Sequence, residues 1–368
     1  MPWTGSKQNL YDYFKNNIED IKKGIVEQGG LKNTNLLVFI AKSKDKSHLI
    51  RIGYQKGACY NDTLTVYPDG AMNTPHKLAA LLDKVTEVAP APLYSMIIGC
   101  HGVGWIYSES VSPAMRRRIS TALDKNQAMG LPITRQSRYL GGTDIQMDID
   151  DLANGIKRSK VQHLQFLLFD DCNMANIETA YELNRATDYI IACPTEIMGH
   201  GMPYSDMWKY LAPTQPDYKN AIESFHRFYS NYSIGSLPYH FGTISVTDCR
   251  KIDEMIGVLE TIHNKYTLGT DVGSELQILD GYVPSVFFDF SDYIHRLCAN
   301  DTELIKRFDA TLLQLVPYER HTEAYFSALE NAGDHYIKSC CGLTISASST
   351  NNMVSRSKYR SNFYALFQ

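Results

Sequence analysis

The chain has 368 residues, 44% of them hydrophobic and 21% charged, with a formal net charge of −4. That length suits one large α/β domain with a smaller unit beside it, and the apolar content is well above that of a disordered chain. The slightly acidic balance leaves no basic footprint for nucleic acid, and no apolar run approaches the ~18 residues of a membrane span, so both of those classes are set aside.

From Leu10, the residues Phe14, Ile18, Ile21 and Ile25 recur at helical spacing as far as Gly29-Gly30, which predicts an amphipathic core helix. Residues 36–40 read as a buried strand. Residues 49–54 and 63–67 read as a β-excursion, with turns at Asp62 and at Pro68-Asp69-Gly70. A helix carrying Leu78, Leu81, Leu82, Val85 and Val88 follows and is closed by Pro90-Ala91-Pro92. Residues 94–100 then form a buried-strand run that leads straight into His101-Gly102-Val103-Gly104-Trp105. Strand, helix and strand with short joints is the signature of a βαβ unit in a parallel sheet.

Between residues 107 and 147 the periodicity fails, over a stretch far longer than the ~12–15 residues at which a structureless loop becomes unusual. It carries Arg116, Arg117, Arg118, Lys125, Arg135 and Arg138, and it reads either as a solvated basic surface loop or as a functional linker. A helix around Ile149, Leu152 and Ile156, capped by Asp148, leads into residues 164–169. That apolar run ends abruptly on Asp170, Asp171 and Cys172. Met174, Ile177 and Tyr181 then recur at helical spacing, with Asp171 or Asn173 placed to cap the first turn and Glu178 near its positive end. Cys172 would thus sit where a buried strand gives way to a helix, whose free N–H groups lower a thiol's pKa.

Residues 189–193 read as the next strand, followed by the Gly/Pro-rich loop Pro194-Thr195-Glu196-Ile197-Met198-Gly199-His200-Gly201-Met202-Pro203-Tyr204. Beyond about residue 205 the composition shifts toward helix, with Ile222, Phe225, Tyr229 and Tyr232 on one face, then 252–259 and 304–315. Strand-like runs at 241–246 and 342–346 interrupt them. The aromatic stripe reads as core. Eight cysteines lie scattered without a CxxC pair, and mostly free, buried thiols are expected.

A lone cysteine after a strand is more often a small buried filler than a nucleophile. His101 changes that reading, because ligands of an open parallel sheet bind outside the carboxyl ends of its strands. An imidazole at one tip can protonate a leaving amine while a thiolate at another attacks the carbonyl. HExxH, GxSxG, GxxxxGK[ST] and GxGxxG are all missing from the sequence, so metalloprotease, serine-hydrolase and nucleotide-binding readings have no motif.

GCHGVGW at 99–105, followed by LLFDDCNMANIETAYEL at 167–183, resembles the clostripain family of cysteine peptidases, which is similar in core fold to caspases, gingipains and legumains. MPWTGS at the start, TRQSRYLGG at 134–142 and PTEIMGHGMPY at 194–204 fit the same family. The resemblance implies a caspase-like three-layer α/β/α sandwich with a mostly parallel central sheet over residues 1–205. A largely helical C-terminal region, 206–368, would pack on that core. It further implies a cysteine endopeptidase with Cys172 as nucleophile, His101 handling the proton, and the N–H groups of Gly102 and Cys172 as oxyanion hole.

Clostripain-like enzymes cut after Arg or Lys. Asp170, matching the family's Asp two residues before the Cys, is then the natural counter-charge for a guanidinium. A carboxylate at a strand end can equally cap neighbouring N–H groups, and both roles stay open. Some relatives carry a second acid within a PGxG-like turn where this chain has Gly199-His200-Gly201, which leaves Glu196 and His200 as further substrate-binding candidates. Relatives activate by internal cutting after a basic residue, which makes Arg116, Arg117 and Arg118 the first self-cleavage candidates and Arg135 and Arg138 the next. No cofactor is required by the sequence. Calcium follows from the resemblance alone, and no EF-hand-like run supplies its ligands. An apolar strand precedes the MPWTGS-like segment in the family, so an export segment upstream and a periplasmic, surface or secreted bacterial location are expected. A monomer acting on a peptide or protein substrate is expected too. The rival class is a catalytically inert caspase-like binding or scaffold protein, which loss of a dyad member would mark; both members are present.

Overall fold

The computed structural model describes residues 10–43, 45–70, 72–111 and 146–368. Helix α1 (Tyr11–Glu27) buries Ile21 and Ile25, the face that the periodicity indicates. Strands β1 (Leu36–Ser43), β2 (Lys46–Gln55) and β3 (Ala58–Tyr67) then form an antiparallel sheet of their own, in the order β1-β2-β3. Lys56 and Gly57, both at positive φ, make the two-residue turn that joins β2 to β3. β1 is half-buried along most of its length and its hydrogen-bonded neighbour is β2. It therefore does not supply the first strand of the expected βαβ unit. The physical reason is proximity in sequence: a hairpin partner a few residues away costs less loop-closure entropy than a crossover.

Helix α2 (Pro75–Val88) starts on Thr74, whose hydroxyl accepts the Lys77 N–H at 3.3 Å, with proline in the first turn. β4 (Met96–Gly99), α3 (Ile149–Arg158), β5 (Leu164–Asp170), α4 (Ile177–Leu183) and β6 (Thr187–Ala192) follow. β4, β5 and β6 lie side by side in parallel, with Gly99 opposite Asp170 and Leu168 opposite Ile191. Leu167, Leu168 and Phe169 are buried. Burying such a side chain contributes roughly 1.5–3 kcal/mol, and cover on both faces is why β5 reads as an unbroken apolar run.

The second half of the chain begins with α5 (Tyr204–Leu211), α6 (Tyr218–Tyr229) and a short ribbon of β7 (Ser233–Ile234) and β8 (Leu237–Pro238). β9 (Thr243–Asp248), α7 (Ile252–Tyr266), β10 (Phe288–Asp289), α8 (Phe290–Leu297), α9 (Thr302–Leu315) and β11 (Tyr318–His321) come next. The chain closes with the hairpin β12 (Ala324–Ser327) and β13 (Gly333–Tyr336), then β14 (Thr344–Ile345) paired with β10, α10 (Asn352–Lys358) and α11 (Asn362–Ala365). β9 pairs antiparallel with β6, and β11 antiparallel with β9, which gives the central sheet the order β11-β9-β6-β5-β4. Residues beyond 205 thus extend the sheet by two strands as well as packing helices on it, and one apolar core runs from Ile21 to Tyr364.

Helices cover both faces. Phe166 of β5 meets Tyr218 of α6 edge-on at 6.0 Å, Asp170 on the same side receives the hydroxyl of Tyr204 in α5, and Gly99 of β4 lets Phe14 of α1 close in. α2, α3 and α4 pack in series as the other layer. The result is an α/β/α sandwich whose parallel half carries the strand tips of interest.

The chain leaves the described structure after Val111 and returns at Gln146. Its two flanks are tied together. The Ser108 N–H donates to Asp148 Oδ1 at 2.8 Å, and Arg360 reaches Asp148 at 3.0 Å, Asp150 at 3.1 Å and Glu109 at 3.4 Å while lying over the Tyr107 ring. Asp148 stands at the N-cap position of α3, but its carboxylate serves these partners and makes no capping bond to the helix.

Candidate active site

Register sets His101 and Cys172 at neighbouring strand tips. The parallel ladder pairs Gly99 with Asp170, so the histidine and the cysteine each stand two residues beyond the same pair, at adjacent strand tips. Gly102 is pressed against the second tip. A β-carbon there would collide with the Cys172 carbonyl oxygen and stand 3.0 Å from the Asp171 β-carbon, so only glycine allows this approach.

The cysteine does not open a helix. Asn173 turns the chain at φ 56, and α4 starts only at Ile177, capped by Asn176, whose side chain accepts the Thr179 N–H at 3.0 Å. Neither Asp171 nor Asn173 is its cap. The helix-dipole argument for an acidified thiol therefore fails, and the thiol is shifted the other way. Cys172 is fully buried, and burial, with Glu196 next in weight, pushes its pKa well above the ordinary thiol range. The Ile197 N–H, which donates to Sγ at 3.4 Å, pulls weakly in the opposite direction. The turn behind it is braced by backbone bonds, Asn173 N–H to Thr195 at 3.0 Å and Ala175 N–H to Cys193 at 3.2 Å.

Asp170 is buried beneath this turn. One carboxylate oxygen accepts the Met202 N–H at 3.1 Å and the other the Tyr204 hydroxyl at 2.9 Å, so it ties the loop after β6 to the tip of β5. Glu196, also buried, accepts the Ser327 hydroxyl with one oxygen and the Ala328 N–H at 3.0 Å with the other, which joins the same loop to β12. His200 lies apart from them. Its ring stacks on Phe228 at 4.7 Å, Asp20 of α1 is 4.0 Å away, and its carbonyl accepts from Asn17. Ile197 and Tyr204, which touch the candidate residues, fall within the PTEIMGHGMPY segment without being singled out there, and Ser327 carries no motif in the sequence.

In the sequence Asp171 reads only as a candidate helix cap. Its Oδ1 accepts the Cys100 N–H, and its Oδ2 lies 3.3 Å from the Cys100 thiol. Further support comes from the C-terminal stretch. Trp105 donates to the Ser346 hydroxyl at 3.0 Å and packs on Tyr364, while Glu178 accepts the Ser346 N–H at 2.8 Å and the Tyr364 hydroxyl at 2.7 Å. All eight thiols are free.

The self-cleavage candidates Arg116, Arg117, Arg118, Arg135 and Arg138 lie outside the described residues, as do the MPWTGS and TRQSRYLGG segments. For calcium, Asp148, Asp150 and Asp151 offer oxygens within 4.8 Å of one another. Arg360 already pairs with Asp148 and Asp150, and calcium takes about six to eight oxygen ligands, so the trio does not fit a calcium cage. Among the described residues no helix is long and apolar enough to cross a membrane.

Comparison with known proteins bears on what these tips do. A search of curated proteins found no match. Among solved structures, a secreted C11 cysteine protease from Bacteroides thetaiotaomicron, iotapain, is 34% identical with a TM-score of 0.84, over 100% of this chain and 97% of that one. A clostripain from the same species, solved with the peptide inhibitor BTN-VLTK-AOMK, is 39% identical with a TM-score of 0.57, over 62% of this chain and 99% of its own. An inactive zymogen C11 protease from Parabacteroides distasonis shares the fold at 24% identity and a TM-score of 0.78, over 99% of this chain and 96% of that one. The model of the clostripain family, peptidase C11, matches residues 2–293, and the chain belongs to that family of cysteine proteases, with the caspase-like fold.

Proposed function

We propose that this cysteine protease is an endopeptidase in which Cys172 attacks the scissile carbonyl and His101 delivers the proton to the leaving amine. The shared register of Gly99 and Asp170, which puts both residues just past one rung of the sheet, carries this reading. The backbone N–H groups of Gly102 and Cys172 form the oxyanion hole, and losing one such donor typically costs ~3–4 kcal/mol of transition-state stabilisation. The thiol is covered and held protonated in the arrangement described, so attack requires Sγ to come free of Ile197 and meet water or the imidazole. That supports an enzyme that rests closed and is opened by processing in the linker, at Arg116, Arg117 or Arg118 ahead of Arg135 or Arg138.

The favoured bond follows Arg or Lys. Asp170 and Glu196, two buried carboxylates beside the cysteine turn, supply negative potential there, although each also holds a loop. The inhibitor bound by one relative ends its peptide on lysine, which agrees with that preference. The protein works as a monomer and is exported, as the secreted relative is.

Hydrolysis of Lys-, Arg- and neutral-residue peptide amides by wild type, Cys172→Ala, His101→Ala and Asp170→Asn tests these assignments together. The first two variants should be inactive yet folded. Asp170→Asn should lose kcat/KM on basic peptides far more than on neutral ones. Activity persisting in Cys172→Ala removes the dyad. An equal loss on every peptide with a lower thermal midpoint makes Asp170 a loop anchor only.

A further inference from the structure

Asp171 stands between Asp170 and Cys172 but is used by neither of the roles proposed for them. Its carboxylate is buried and crosses to the neighbouring tip, where Oδ1 accepts the backbone N–H of Cys100 and Oδ2 lies 3.3 Å from Cys100 Sγ. Cys100 immediately precedes His101, just as Asp171 immediately precedes Cys172.

We propose that Asp171 is a positioning residue for the protease reaction: its bond to Cys100 sets the gap between the two strand tips and so the placement of His101 against Cys172. The inference rests on the dyad reading. The regular pairing of β4 with β5 ends at Gly99 and Asp170. One step further, a side-chain bond takes the place of a ladder rung. Gly102 and Asp171 act in opposite senses on the same gap. The glycine leaves empty the space that a β-carbon would contest with the Cys172 carbonyl, and the carboxylate stops the tips from drifting apart. The Cys100 thiol also lies 3.2 Å from the His101 carbonyl, so its single S–H can serve either acceptor, whereas the backbone N–H always serves Asp171. The constant part of the clamp is therefore independent of the residue type at 100.

Steady-state kinetics on one peptide amide, with wild type, Asp171→Ala, Asp171→Asn and Cys172→Ala, tests the assignment, the active-site concentration of each protein that keeps Cys172 being set by titration with an irreversible peptide inhibitor. Asp171→Ala should lose kcat by ~10–100-fold with KM changed less than ~2-fold, since substrate contacts stay while the reacting groups lose alignment. Asp171→Asn keeps an oxygen to accept the Cys100 N–H and should recover kcat to within ~5-fold of wild type. Wild-type kcat in Asp171→Ala overturns the proposal. So does a rise in KM at constant kcat, which would make Asp171 a substrate contact. Should Asp171→Ala fail to fold, Asp171→Asn decides alone: a loss of kcat beyond the stated range means that charge, not the clamp, is what matters. Activity in Cys172→Ala would instead sink the dyad, independently of either Asp171 variant.

Discussion

Glu178 is a carboxylic acid buried under the cysteine turn, and its surroundings leave it poorly solvated. Burial pushes its pKa up to about 7, against the pull of the Tyr364 hydroxyl and the Ser346 N–H. The unfolded chain would titrate the same group near ~4.3, so between those values the native state holds a proton that the unfolded state has released. Stability from this group is therefore fully present below about pH 4 and lost as the pH rises through about 7, a fall of roughly 4 kcal/mol. Glu178→Gln keeps the oxygen that both donors use and cannot ionise. It should be more stable than wild type at pH 8 and nearly equal at pH 4, as urea midpoints would read; an unchanged slope in the variant would place the pH dependence elsewhere. The sequence shows Glu178 near a helix start and nothing more, because its partners lie 168 and 186 residues further along the chain. Cys172, whose pKa burial also raises, teaches the same lesson. Its position was legible, but its electrostatics were not, since burial is a property of everything packed around it.

At the scale of elements, the strands were the legible part. Apolar runs ending on His101 and on Asp170-Asp171-Cys172 do form adjacent parallel strands, because cover on both faces leaves an unbroken apolar signature. The helix after the cysteine was misplaced by several residues. Met174 and Ile177 satisfy helical spacing, yet Asn173 turns the chain at positive φ, and that backbone state leaves no trace in hydrophobic periodicity. Gly102 is where the two tips touch, and this gives a test of how closely they must approach. In Gly102→Ala the new methyl has to displace the Cys172 carbonyl or part the tips. We expect kcat/KM to fall by ~10–100-fold and the thermal midpoint to drop, measured on peptide amide and by calorimetry. Activity near wild type would mean that the tips stand further apart in the working enzyme.

For the whole molecule, the sequence carried the sandwich and its family but not the way its halves interlock. Residues 241–246 looked strand-like, yet nothing local says that β9 joins β6 from the far side or that β11 follows it, because those pairings close long loops. The self-processing reading predicts that purified wild type runs as two fragments that stay associated, while Cys172→Ala runs as one. Intact wild type with full activity, or a cut Cys172→Ala, would make the linker an ordinary surface loop. The tie between Ser108, Asp148 and Arg360 gives such a cut a molecularity. His101 would then belong to one chain and Cys172 to another, held together by the β4 and β5 rungs, by Arg360 on Glu109 and by Tyr364 on Trp105. Unfolding the uncut protein is unimolecular, whereas unfolding the nicked pair yields two particles, so its midpoint rises with concentration by mass action. One peptide bond would decide whether dilution alone can pull the histidine away from the thiol.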